Sequence, residues 1–328
     1  MHNGGERVEK GRIMTVFSDF SLADWLGIKK KPPELKILHR VRSRFNHIYV
    51  IQKGREREMW FKGEGTREFF LQGRVNLDRK HFPNLVYSRT MLASLLLCPA
   101  PRRVLLVGLG GGMVSNFLHR YFPQTEIDVV EVDPRVVEVT QKYFFMKPGR
   151  RYRVHMGDGR VFVQSLKGKG QFDLVFLDAY KSGSIPFHLK TRQFYEEIRD
   201  ILAPEGVVIS NLYGKSNLLK PGDHATFAAV FRQLYLFEDI EKIATVLLAT
   251  NQGDKWIGED FIQAAAKFPA SFPLPMNEIA RFFQSAPLYR EGMNMFIDDF
   301  RQEDFKQVVE LNNADGMMHP PYPIQNSD

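Results

Sequence analysis

The chain has 328 residues, 44% of them hydrophobic and 25% charged, with a formal net charge of +7 and one cysteine. This is ordinary globular material, and a lone Cys98 excludes an internal disulfide framework and suits a reducing cytoplasm. No apolar run nears the ~18–20 residues that cross a bilayer, and the opening MHNGGERVEKGR lacks the apolar centre of a signal peptide.

Residues 1–36 read as an appendage in which Phe17, Phe20, Leu22, Trp25 and Leu26 share one side of a short amphipathic helix. Lys29-Lys30-Lys31-Pro32-Pro33 stops it. Residues 37–84 change to short alternating segments, at 45–52, 58–62 and 68–71, broken by Gly54, Gly63, Gly65 and Gly73. That texture predicts a small antiparallel β domain. A helix is expected over 85–97, with Cys98 as a small buried hydrophobe after it.

The central stretch is RVLLVGLGGGMVSNFLHRYFPQTEIDVVEVD, from Arg103 to Asp133. It reads as strand, glycine turn, helix and second strand. A helix with Pro134 in its first turn follows, and then a strand over 152–156. Gly157-Asp158-Gly159 leads to a short helix over 160–166, and the apolar run 172–177 reads as a buried parallel strand ending at Asp178. Thr191 is the expected N-cap of a helix over 192–202, and Pro204-Glu205-Gly206 turns into a strand over 207–211. A helix over 225–237 and a strand over 243–250 complete a domain placed at 85–257. Residues 258–328 read as a helical extension and tail. The alternation predicts an α/β fold: a Rossmann-like, doubly wound, mainly parallel sheet preceded by the small β domain.

Gly108, Gly110 and Gly112 let the backbone approach a ligand closely, while the helix behind them offers free N–H groups. Glu131, Asp158 and Asp178 stand at the carboxyl ends of successive parallel strands, the edge where such sheets bind ligands. Glu131 is placed to take ribose hydroxyls and Asp158 to accept from an adenine amine, which leaves Asp178 facing the reacting end. Such an acidic lining attracts a sulfonium and repels a pyrophosphate. Met113 also replaces the third glycine of the dinucleotide fingerprint.

These residues resemble the spermidine synthase (polyamine aminopropyltransferase) family within the class I AdoMet-dependent transferase fold. The pieces that carry the resemblance are the segment Ser43 to Val50, Tyr87, VLLVGLGGG, Glu131-Val132-Asp133, Gly157-Asp158-Gly159, Asp178 followed by Pro186, and Ile297-Asp298-Asp299-Phe300. The resemblance implies AdoMet or decarboxylated AdoMet as donor, with Glu131 on the ribose, Asp158 and Gly159 at the adenine, and Pro186 near the thioadenosine. It makes Asp178 the proton acceptor and implies a homodimer. Tyr87, Tyr180, Lys181 and His188 fall on the acceptor side.

The departures gather on that same side. Gly111 stands where the family carries an aspartate, Lys181 replaces the second acid of an Asp-x-x-Asp pair, Asn46 and Asn76 replace glutamines, and Ser88-Arg89 follows Tyr87. Each lost acid weakens the hold on a dicationic amine, and Lys181 or Arg89 facing the site would repel it. The pattern points away from the standard putrescine reaction.

The chemistry expected is in-line displacement at a carbon on the sulfonium sulfur, with Asp178 as base or amine orienter. Aminopropyl transfer to another acceptor and methyl transfer from AdoMet both stay open, as does a catalytically inactive nucleoside-binding protein. The histidines lack metal-ligand spacing, so no metal is expected. Expected partners are a small-molecule donor and acceptor in a cytoplasmic setting. The basic residues are spread out apart from clusters at 29–31 and 147–153, so a nucleic-acid partner is not expected.

Overall fold

In a computed structural model of the protein, the described residues are 34–62, 69–180, 185–212, 220–239, 244–285 and 294–298. The alternating segment forms four antiparallel strands in chain order: β1 (Leu35–Arg42), β2 (His47–Lys53), β3 (Glu56–Lys62) and β4 (Phe69–Asn76). Alternation sorts the side chains by face. Ile48, Val50, Met59, Phe61 and Val75 join the main core, whereas Tyr49, Ile51, Trp60 and Phe69 cluster on the other face.

The helix expected over 85–97 is two short ones, α1 (Val86–Met91) and α2 (Ser94–Leu97). Between them the N–H groups of Leu92 and Ala93 bond three residues back, to Arg89 and Thr90. The Thr90 hydroxyl also donates to the Val86 carbonyl at 3.0 Å. Such tightening ends an α-helical turn.

The sheet that follows is built from β5 (Arg103–Val107), α3 (Met113–Tyr121), β6 (Glu126–Glu131), α4 (Pro134–Tyr143), β7 (Tyr152–Met156), α5 (Gly159–Ser165), β8 (Phe172–Leu177), α6 (Arg192–Asp200) and β9 (Leu202–Asn211). Then come α7 (Lys220–Ala228), β10 (Gln233–Glu238), β11 (Thr245–Thr250), α8 (Gly258–Ala266), α9 (Met276–Ala280) and β12 (Phe283–Gln284). The strand order is β12-β10-β11-β9-β8-β5-β6-β7. Strands β7, β6, β5, β8 and β9 run parallel, and β11, β10 and β12 add an antiparallel edge. From β5 the chain moves outward through β6 and β7, then returns to the other side of β5. The carboxyl end of β5 is therefore the switch point where a ligand crevice opens.

Two expectations fail in the second half. Residues 233–237, read as the end of a helix, form β10. Tyr235 and Phe237 enter one core cluster and Leu236 the other, so the run is buried on both faces by strand alternation. Strand β9 starts at Leu202 rather than at 207, since Leu202 pairs with Phe172 before the register shifts to Val207 opposite Leu174. Thr191 caps α6 as expected, accepting from the Phe194 N–H at 3.3 Å.

Candidate functional site

Every predicted nucleoside-side residue lies at the carboxyl edge of β5 to β8. The Asp178 N–H donates to the Val107 carbonyl at 3.0 Å, and the Gly108 N–H to Val130 at 2.9 Å, so loop and strand ends are locked in register. Gly108 has φ +98°, and a Cβ there would lie 2.5 Å from the Asp178 carbonyl oxygen. Only glycine fits. The Gly110 carbonyl accepts from the Thr140 hydroxyl at 2.8 Å, fixing the loop to α4. Gly112 opens α3.

Glu131 grips this loop. Its Oε2 accepts from the Leu109 N–H at 2.9 Å and its Oε1 from the Asp133 N–H at 2.9 Å. Burial raises its carboxyl above the ordinary range against the pull of these bonds. Asp133 caps α4 through the Arg135 N–H at 2.9 Å and accepts from the Ser43 hydroxyl at 2.5 Å. It is thus structural, tying the small sheet to the large one.

Asp158 caps α5, its Oδ1 accepting from the Arg160 and Val161 N–H groups at 2.9 and 3.1 Å. Its Oδ2 meets His188 Nε2 at 2.8 Å. Burial opposes ionisation, yet these donors hold the carboxyl below its ordinary range. His188 therefore anchors the turn Phe187–Leu189, which Pro186 begins, over the corner formed by Asp158 and α5. Gly159 lies against Val107, where a Cβ would come within 2.5 Å of Cγ1. Arg160 extends the corner: it binds Glu197 at 2.8 Å and Asp298 of the tail motif at 2.8 Å, and Asp298 also accepts from the Thr191 hydroxyl at 2.8 Å.

Beside Asp178 lies a narrow pocket between Gln72, Tyr87, the glycine loop and Met113. Asp178 Oδ1 accepts from Asn211 Nδ2 at 3.2 Å, and burial pushes the carboxyl up to about 7, with Asn211 opposing. The Tyr87 hydroxyl donates to the Gln72 carbonyl at 3.3 Å, and the Tyr180 hydroxyl to the Asn211 carbonyl at 2.6 Å. Among the described residues lining the pocket, Asp178 is the sole carboxylate.

The acceptor-side departures sort themselves out. Arg89 turns away, donating to the Pro83 and Asn84 carbonyls at 3.2 and 2.8 Å. Asn46 closes a turn with Ser43, Asn76 accepts from the Asp78 N–H at 2.9 Å, and neither lines the pocket. A Cβ on Gly111 would sit 3.0 Å from the Gly73 Cα, a tight contact that the approach of β4 disfavours. Lys181 and Asp299 lie outside the described residues.

Asn211 and Gln72 are the site residues that sequence reasoning missed. Asn211 carries the same signal as the acids, a polar residue ending a parallel strand. Gln72 comes from the other sheet, and no local pattern marks it.

Among the described residues no helix is long and apolar enough to cross a membrane, and no three His, Cys, Asp or Glu side chains converge as metal ligands. The family described as the spermine/spermidine synthase domain matches residues 85–246. A polyamine aminopropyltransferase of Vibrio vulnificus is 37% identical over 232 residues, 69% of this chain and 72% of that protein. The eEF1A lysine and N-terminal methyltransferase of Homo sapiens is 35% identical over 151 residues, which span 43% of this chain but 22% of that protein. The crystal structure of human methyltransferase-like protein 13 in complex with SAH matches with a TM-score of 0.52 and 26% identity, over 67% of this chain and 99% of that one.

Proposed function

Because this chain belongs to the spermine/spermidine synthase family of AdoMet-class transferases, we propose that it moves an alkyl group from an adenosyl-sulfonium donor, AdoMet or decarboxylated AdoMet, to an amine other than putrescine. The observation that carries this reading is Asp178: among the described residues it is the one carboxylate, raised to about 7, in a pocket otherwise lined by neutral groups. A dicationic amine beside a cationic donor calls for more than one negative partner. A single carboxylate suits one amino group.

The donor residues fit a nucleoside. Gly108 lets the loop pack directly on the Asp178 backbone, where no Cβ fits, so that the loop ends close to Asp178; in this reading Glu131 serves the ribose and Asp158 with Gly159 the adenine. The sulfonium supplies an electrophilic carbon and a neutral thioether leaving group. Asp178 orients the acceptor amine and takes its proton, and Asn211 keeps the carboxylate aimed. An ordinary aspartate lies about six pKa units below an alkylammonium near 10, a transfer cost of about 8 kcal/mol; at about 7 the gap is roughly three units and about 4 kcal/mol. Tyr87 and Gln72 shape the wall the acceptor meets.

Thermal shifts with AdoMet, decarboxylated AdoMet, methylthioadenosine and NADH, followed by product mass spectrometry on an amine panel, test the reading. Stabilisation by the thioadenosine compounds and alkylation of an amine other than putrescine are expected. A shift with NADH alone would sink it, and efficient turnover of putrescine would restore the standard reaction. Methyl transfer is the second reading, favoured by the 35% identity to the human eEF1A methyltransferase. A methylated rather than aminopropylated product decides for it.

A further inference from the structure

The basic cluster at 147–153 plays no part in the donor pocket. It lies at the opposite edge of the large sheet, where the end of α3, the start of β6 and the turn before β7 meet. There His119, Glu126, Lys147, Gly149, Arg150 and Arg151 line a shallow cavity of about 460 Å³. Glu126, its one acid, is already paired with Arg153 at 2.9 Å. Lys147 and Arg150 are exposed and make no ion pair among the described residues, and Arg151 donates only to the Thr125 carbonyl at 3.2 Å.

Four arginines elsewhere are paired with acids: Arg55 with Asp78, Arg74 with Glu58, Arg135 with Glu138, and Arg160 with Glu197 and Asp298. The carbonyls that end α3 account for His119 and its neighbour Arg120, since a helix C-terminus favours cations. They do not account for Lys147, Arg150 and Arg151, which come from a separate segment. The crowding reaches the neighbouring histidines. His119 is held below the ordinary imidazole range by burial and then by Arg151. His81 is held down by burial and then by Arg120, His119, Lys147 and Lys80.

We propose that this cavity is a second binding site, for a small phosphate-bearing anion such as a polyphosphate or nucleotide, separate from the donor pocket. Two guanidinium forks and a lysine converging on one concavity are the donor set that phosphate oxygens need. The volume falls within the roughly 300–1,000 Å³ of small-ligand sites. The charge is gathered at one hollow instead of drawn out along a face, which favours a compact anion over a nucleic-acid strand.

Isothermal titration of the full chain with inorganic triphosphate, at constant ionic strength and with methylthioadenosine saturating, tests this. Saturable binding is expected, weakened at least tenfold in a Lys147→Gln/Arg150→Gln variant whose unliganded melting temperature matches the wild type. ATP in a second arm separates recognition of the phosphate chain alone, with equal affinity, from recognition of the base as well, with tighter binding. Absence of saturable heat, unchanged affinity in the variant, loss of binding when the donor pocket is saturated, or binding confined to RNA or DNA oligonucleotides would each overturn the proposal.

Discussion

As the proposed base, Asp178 works in opposite directions for stability and for chemistry. Its folded carboxyl holds a proton up to about 7, while an unfolded aspartate releases it near about 4. The folded chain therefore binds more protons between those values, and its stability falls as pH rises through them. Asp178→Asn removes that penalty, so above pH ~7 the variant is expected to melt higher than the wild type while losing turnover about 10²–10⁴-fold. In the wild type kcat/KM should climb with pH through about 7. A flat profile, or an Asn variant that keeps its turnover, removes Asp178 as the base. Gly111 shows the limit of residue-scale reading. In sequence it is a missing acid; in the fold it is a close contact with Gly73 that a side chain would crowd. Gly111→Asp should cost about 1–3 kcal/mol through overpacking and bring no putrescine turnover, measured by melts and by product assay. Glu131, Asp158 and Asp178 were legible because strand ends can be counted along a chain. Arg89 was not, because its direction depends on the Pro83 and Asn84 carbonyls beside it.

At the scale of elements, β5 through α5 follow the sequence closely, since glycine or a capping acid marks the end of each strand. The legibility stops at 233–237. QLYLF has the length and apolar content of either a helix end or a strand, and only the edge offered by β11 on one side and β12 on the other selects the strand. The same dependence on distant partners governs the corner proposed for the adenine, where α5, the turn Phe187–Leu189 and the tail at Asp298 meet through Arg160. Asp298 is held below the ordinary carboxyl range, by Arg160 first. Its contribution is present above the unfolded value near 4 and is lost as pH falls through the folded one. Because Asp298 is 41% exposed, screening limits the gain to about 1 kcal/mol. If that ion pair also orders the corner for the nucleoside, Asp298→Asn is expected to weaken methylthioadenosine binding by up to about fivefold with kcat little changed. Calorimetric titration checks the first half and steady-state kinetics the second. A drop in kcat with unaltered affinity would place Asp298 in the chemistry instead of in the corner that frames the nucleoside.

For the whole molecule, the open matter is how far the small sheet is a unit of its own, as the sequence boundary at residue 84 implies. One face of that sheet is continuous with the main core through Ile48, Val50, Met59, Phe61 and Val75. Polar ties cross the same seam: Ser43 to Asp133 at 2.5 Å, and Arg57 to the Tyr143 carbonyl at 2.8 Å. Gly73 against Gly111 carries the seam into the glycine loop itself. We infer that the sheets unfold together. In calorimetry the full chain should give one transition, its calorimetric and van't Hoff enthalpies agreeing. Ser43→Ala is the sharper probe. It leaves one oxygen of a 1% exposed Asp133 without its hydroxyl donor, at a cost of about 1–3 kcal/mol. If the seam is shared, the whole transition moves down and stays single, and donor affinity falls with it because Asp133 also orders Glu131 behind the glycine loop. If the sheets are independent, the variant resolves two transitions and the upper one keeps both its temperature and its response to methylthioadenosine.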